Sequence, residues 1–278
     1  MNKFFWSLAA GVFLWASCGS DPGVRQEPLP VTGERTDDPA SPDLNLSGPS
    51  LEEIHDSGYW ITRPLDSSIT IIGIAGRRSN RDDAITEALA DAARKVSLYH
   101  GIHGESSTVL NQGPGSLDYV AEFNYSLEPL TEVDLYLEKL AFDKDRDVLE
   151  KNGAVYVRFR YSGVSGIPPY HSSLEDGVPN WVRNTVADIP GFLTGIGISK
   201  NKGSLQKTYQ ASYENAIVAL LPRLFTRISG EIIDVEGGKM TRNVSTSEGD
   251  LTEVMILETW FDKKINAVWT LVAAKQKL

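Results

Sequence analysis

The chain has 278 residues, 23% of them charged and 41% hydrophobic, a formal net charge of −10 and a single cysteine. That balance supplies enough apolar material for one large globular domain or two small ones, and the acidic excess repels phosphate backbones, which argues against nucleic acid as a partner. A lone cysteine excludes disulfides within the chain and cysteine metal sites.

Lys3 supplies a positive start, and residues 4–16 form an apolar run of signal-peptide length, too short to span a bilayer as a helix. The run closes on Ala16 and Ser17 and then Cys18. This order resembles the lipobox of bacterial lipoproteins, in which the thiol is acylated, the signal is cut before the cysteine and lipid remains as the anchor. Lipoboxes carry Leu three residues before the cysteine; Trp15 stands there, with Leu14 one step earlier. The resemblance implies a signal peptide over 1–17, a diacylglyceryl, palmitate-bearing Cys18 and a membrane partner reached through acyl chains. Each buried methylene adds about 0.8 kcal/mol, so two or three chains hold far more firmly than one. The alternative is an ordinary secretory signal followed by a chance cysteine. Losing Lys3 with the signal takes the net charge from −10 to −11. Gly19 rather than Asp follows the cysteine, which under the sorting rule of enteric bacteria points to the outer membrane, on its periplasmic or its surface face.

Residues 18–57 are dense in Pro, Gly, Ser and Asp, without helical or alternating periodicity. Such a segment cannot bury enough apolar surface to offset its ordering entropy and reads as a disordered tether. After it the chain repeats itself. Residues 57–101 and 178–224 each carry a tryptophan (Trp60, Trp181), an apolar strand into a glycine pair (Gly73 and Gly76; Gly195 and Gly197), a polar basic turn and an amphipathic helix.

In the first unit, expected over 58–163, a strand at 69–75 leads to a helix with Ala84, Ala88, Ala92 and Val96 four apart. Asp82 and Asp83 suit its first turn, Arg94 and Lys95 its end, and Gly101 follows. Small alanines let it lie close on a sheet. A strand at 117–128, a helix at 131–151 with Val133, Leu137 and Leu140 inward, and a strand at 154–162 complete the unit. In that last strand Val155, Val157, Phe159 and Tyr161 alternate with Tyr156, Arg158 and Arg160. Residues 163–177 are the junction.

In the second unit, 177–278, a strand at 192–198 leads to a helix at 205–225, which Pro222 should kink or end. Strands follow at 227–236, 252–263 and 266–275. The fold class read from this pattern is α+β, two β-α-β-β-like units with amphipathic helices on mainly antiparallel sheets.

Pro179, Trp181, Gly195, Gly197, Ala211, Ala216, Trp269 and Val272 together resemble the Lpp-twenty-type lipoproteins of bacterial outer membranes and the related domains of flagellar assembly lipoproteins. The likeness is best over 178–275 and looser over 58–161. It implies an envelope lipoprotein of small α/β units and brings no catalytic residues. The two units and the insertion at 131–151 depart from the family.

Chemical motifs are weak. Gly195-Ile196-Gly197 invites a dinucleotide reading, but Lys200 occupies the third glycine's place, and close helix-on-strand packing explains the pair. Gly237-Gly238-Lys239-Met240-Thr241 lacks the earlier P-loop glycine and reads as a hairpin turn. His100 and His103 have a metal-compatible spacing but read as surface histidines. Arg77, Arg78 and Arg81 read as a solvated turn. No serine sits in a Gly-x-Ser-x-Gly elbow.

The sequence therefore reads as no enzyme, with no cofactor and no metal. Two functional classes remain. One is a structural or adaptor lipoprotein with envelope-protein partners. The other is a phospholipid-binding or membrane-inserting protein whose second helix meets lipid through Tyr209, Tyr213, Leu220, Leu221, Leu224 and Phe225. The competing account of that helix stripe is ordinary core.

Overall fold

The computed structural model describes residues 70–112, 119–163, 170, 172–183, 189–235 and 238–277. The signal at 1–17, Cys18, the tether at 18–57 and Trp60 lie outside these residues.

Strand β1 (Thr70–Gly76) leads into helix α1 (Arg81–His100). Asn80 caps the helix, its side chain accepting from the Asp82 N–H, and Asp82 and Asp83 occupy the positive first turn. The hairpin of β2 (Ile102–Gln112) and β3 (Tyr119–Pro129) follows. Residues 131–151 do not form the helix that their spacing predicts. They make a 3-10 stretch, Val133–Lys139, and then β4 (Val148–Lys151), which returns as β5 (Ala154–Arg160). Local side-chain bonds win there: the Asp147 carboxylate accepts from the Asp143 N–H, and Asp143 accepts from the Asp145 N–H. The three-residue period buries Tyr136, while Leu137 is only partly buried.

A short pair, β6 (Leu174–Glu175) and β7 (Val178–Pro179), precedes the one-turn helix α2 (Asn180–Arg183). Then come β8 (Leu193–Lys200) and α3 (Leu205–Val218), capped by Ser204 accepting from the Lys207 N–H. Pro222 lies in a 3-10 turn, Leu221–Arg223, so the helix ends at Val218 instead of running to residue 225. The chain closes with β9 (Thr226–Val235), β10 (Gly238–Asp262) and β11 (Ala267–Gln276). Val235 pairs with Gly238, so the hairpin falls where the glycines place it.

The class is α+β with antiparallel sheets. One sheet has the order β1-β5-β4; the larger has β3-β2-β10-β11-β8, with β9 also on β10. Strand then helix recurs as the sequence repeat predicts: α1 packs on β1 and α3 on β8. The expectation of two separate units is corrected in one respect. The hairpin of β2 and β3 pairs with β10 instead of joining β1, so the first stretch of sequence extends the second sheet.

Strand β10 makes this geometry. Its first half pairs with β9 and β2 and its second with β11, with register shifts between Thr252 and Met255 and between Ile256 and Glu258. Such bulges bend a strand and raise its twist.

The cores are continuous. Ile72, Ile74 and Tyr156 of the small sheet meet Leu205 and Tyr209 of α3 and Val268 of the large sheet. Between the helices Gln206 donates to Glu87 at 3.0 Å and accepts from the Gly76 N–H at 3.2 Å.

Candidate functional site

Strand alternation puts residues two apart on one face, and register decides which residues share a row. On one face of the large sheet, cross-strand rows run Ile232–Thr241–Gln112, Gly230–Asn243–Leu110 and Ile228–Ser245–Thr108–Phe123. The next rows are Thr226–Ser247–Ser106–Tyr125 and Gly249–Gly104–Leu127.

The chain after α3 covers this face only at its base. A Cβ on Gly104 would stand 2.6 Å from Leu221 Cδ2, and one on Gly249 would stand 2.7 Å from Leu224 Cδ1. Beyond that cover the apolar side chains stay open. Phe123 is 49% exposed, Ile228 57% and Ile232 69%, and Phe225 at the entrance to β9 is 54% exposed. Tyr125 bounds the covered part: its hydroxyl donates to Glu214 of α3 at 3.0 Å. Burial, with the carboxylate beside it, pushes that phenol up to about 12.

The opposite face of the same strands is charged. Arg242 pairs with Glu231 at 3.3 Å. His103 lies between Asp250 at 2.7 Å and Glu105 at 3.3 Å. Hydrogen bonding to Asp250, then to Glu105, raises its pKa and favours the imidazolium. His100 goes the other way. It stacks on Tyr136 at 5.1 Å, meets the Tyr161 hydroxyl at 2.6 Å, and its pKa is lowered by burial and then by Lys139. The two histidines therefore serve different surroundings. Among the described residues no three His, Cys, Asp or Glu are placed to hold a metal ion.

The helix residues read as lipid contacts separate sharply. Tyr209, Tyr213, Leu220 and Leu221 are buried in the core, with Tyr209 bonded to the Thr259 hydroxyl at 3.0 Å. Leu224 is partly buried over Gly249, and only Phe225 is open. Gly195 and Gly197 sit directly under α3. A Cβ on Gly197 would stand 2.0 Å from the Ser212 carbonyl oxygen, and one on Gly195 would stand 2.3 Å from that of Ala216. The helix itself occupies the space that a dinucleotide would need. In the basic turn Arg78 pairs with Glu87 at 2.8 Å and Arg81 with Glu150 at 3.1 Å.

Three buried charges are structural. Glu258 accepts from Trp181 Nε1 at 2.5 Å and from Ser172 at 2.7 Å, which gives the repeat tryptophan its polar partner. Asp147 holds Arg158 at 2.7 Å. Lys95 donates to Asp91 and to the Ile72 carbonyl, both at 2.6 Å.

Sequence reasoning did not single out Phe123, Tyr125, Ile228 or Ile232. The alternation of β9 was the available signal, but it marks an apolar face without saying whether anything lies on it. Among the described residues no helix is long and apolar enough to cross a membrane. No protein-family model, curated protein or solved structure matches this chain.

Proposed function

We propose that the chain is a lipid-anchored protein of the bacterial cell envelope, held at the outer membrane through acylated Cys18, that works without catalysis as an adaptor. The open sheet face carries the adaptor reading. Phe123, Ile228 and Ile232 stand on the part of the sheet that Leu221 and Leu224 do not reach. Exposed apolar side chains that share a face, Ile228 and Ile232 on β9 and Phe123 on β3 with Ser245 and Thr108 between them, suit a protein partner whose own face mixes apolar and hydrogen-bonding groups. The anchor reading rests on the apolar run that ends in Cys18.

Lipid contact through the second helix loses four of its six residues to the core. A leaflet would have to meet Phe225, Ile228 and Ile232 instead, and the acidic net charge disfavours anionic surfaces.

Cys18→Ala should move the protein from the detergent phase to the aqueous phase on detergent phase separation and leave a precursor longer by the signal; unchanged partitioning refutes the anchor. A photo-reactive residue at position 123 should yield adducts with envelope proteins in living cells, and Ile228→Asp should abolish them. Absence of adducts, combined with flotation of the unacylated chain on zwitterionic liposomes, would replace the adaptor with the lipid reading.

A further inference from the structure

Edge strands present unpaired backbone groups, and proteins usually block them. This chain blocks the edges at β1 and β8 with side chains and interrupts the edge at β3. At β1, Asp91 accepts from the Ile74 N–H at 2.8 Å, Gln206 from the Gly76 N–H at 3.2 Å, and Lys95 donates to the Ile72 carbonyl at 2.6 Å. At β8, Asn215 donates to the Ile198 carbonyl at 2.8 Å and Arg223 to the Thr194 carbonyl at 3.2 Å. Strand β3 is interrupted by a register shift opposite Val109 and Leu110 and ends on Pro129.

Strand β9 differs. It reads TRISGEIIDV, with no lysine and no proline, and its register with β10 runs without a shift. Among the described residues β10 is its only strand partner. Arg227 to Ile232 are all exposed.

The strand is also self-complementary. A two-fold antiparallel pairing centred on Ser229 sets Arg227 of one copy opposite Glu231 of the other, twice by symmetry. It sets Ile228 opposite Gly230, where the missing side chain leaves room. Centring on Gly230 instead would put Arg227 opposite Ile233 and Glu231 opposite Ser229, with neither charge met. Glu231 already holds Arg242 through one oxygen, and a carboxylate accepts further donors. Arg227 has no acidic partner among the described residues.

We propose that β9 is a self-association edge, and that a second copy of this chain pairs with it antiparallel about Ser229 to make one continuous sheet through both copies. An isologous interface of this kind closes as a dimer. It uses the strand's edge instead of the open face, and it holds whether or not Cys18 is acylated.

The test uses the full chain in detergent with Ser229→Cys, oxidised by copper phenanthroline. Wild type sets the background from Cys18, and Ser126→Cys on β3 controls for random collision. Ser229→Cys should give a disulfide-linked dimer well above both. Adding Arg227→Glu or Glu231→Arg separately should weaken the dimer about tenfold or more, because each converts two opposite-charge pairs into like-charge pairs. Mixing the two charge variants should restore it. In the mixed dimer the introduced glutamate of one copy meets the introduced arginine of the other, and the remaining native Arg227 meets the remaining native Glu231. Both positions are exposed, and circular dichroism of each variant confirms its fold before comparison. Cross-linking at background level, yield equal to that of Ser126→Cys, indifference to both charge reversals, or failure of the mixture to recover would each overturn the proposal.

Discussion

Gly197→Ala tests how closely α3 is seated on its sheet. The added Cβ would stand 2.0 Å from the Ser212 carbonyl oxygen, 2.2 Å from the Ala216 nitrogen and 2.9 Å from its Cα, while ordinary contact begins at 3.4 Å. All three are backbone atoms, so no flexible side chain can swing away. The helix must recede by more than about 1 Å, and a gap of that size forfeits a quarter to a half of each dispersion contact it opens. The contacts at stake belong to Tyr213, Ala216, Ile217 and Leu220, all buried against the sheet. Over-packing a tight core costs about 1–3 kcal/mol, and a clash with backbone on one side and a hydrogen-bonded strand on the other belongs at the top of that range. For a folded body of this size about 3 kcal/mol lowers the melting temperature by about 6–12 °C. The assay is a thermal melt followed by circular dichroism on the Cys18→Ala chain. Gly76→Ala is the control, because its Cβ would meet only Gln206 Oε1, at 3.6 Å, and it should melt within a degree or two of the parent. Equal melting of Gly197→Ala and the parent would refute the packing account of these glycines.

Glu258→Leu should cost about 2–3 kcal/mol by urea denaturation, because it strands the buried Trp181 N–H; Glu258→Gln should cost less, since it keeps an acceptor. Equal stability of the two variants would remove Glu258 as the partner that matters to Trp181. Asp147 makes stability depend on pH. Burial pushes its carboxyl up, but the Asp143 amide and the Arg158 and Arg160 guanidinia outweigh it, and the net shift is downward. A carboxylate depressed in the folded state stabilises above its ordinary pKa and loses that contribution as pH falls through the folded value. The parent and Asp147→Asn should therefore differ by about 2 kcal/mol at pH 7 and converge below about pH 4. A gap that stays constant down to pH 2.5 would contradict the sign.

The helices were legible because their determinants are local. The alanine stripe, the acidic first turn and Gly101 specify α1 within its own residues, and Pro222 stops α3 wherever that helix packs. Gly195 and Gly197 of β8 were legible for a related reason. A residue without a Cβ between an apolar strand and a small-residue helix announces close approach, and the backbones do meet at both. The segment 131–151 misled because Val133, Leu137 and Leu140 fit a helical spacing, while the Asx bonds from Asp143 and Asp147 depend on which conformer the chain has already entered.

The sequence by itself determined the apolar run ending in Cys18, the α+β pattern and the strand-then-helix repeat, all properties of neighbouring residues or of short periods. Tertiary structure alone decided which sheet β2 and β3 join, because strand pairing is a contest between edges far apart in the chain; β10 is long enough to pair with β2 along its first half and with β11 along its second. It also decided that Tyr209, Tyr213, Leu220 and Leu221 are core while Ile228 and Ile232 are open. An apolar stripe on a helix and an apolar face on a strand look the same in sequence whether a neighbour covers them or not. Cover comes from other parts of the chain, and at β9 Leu221 and Leu224 reach only as far as Gly104 and Gly249.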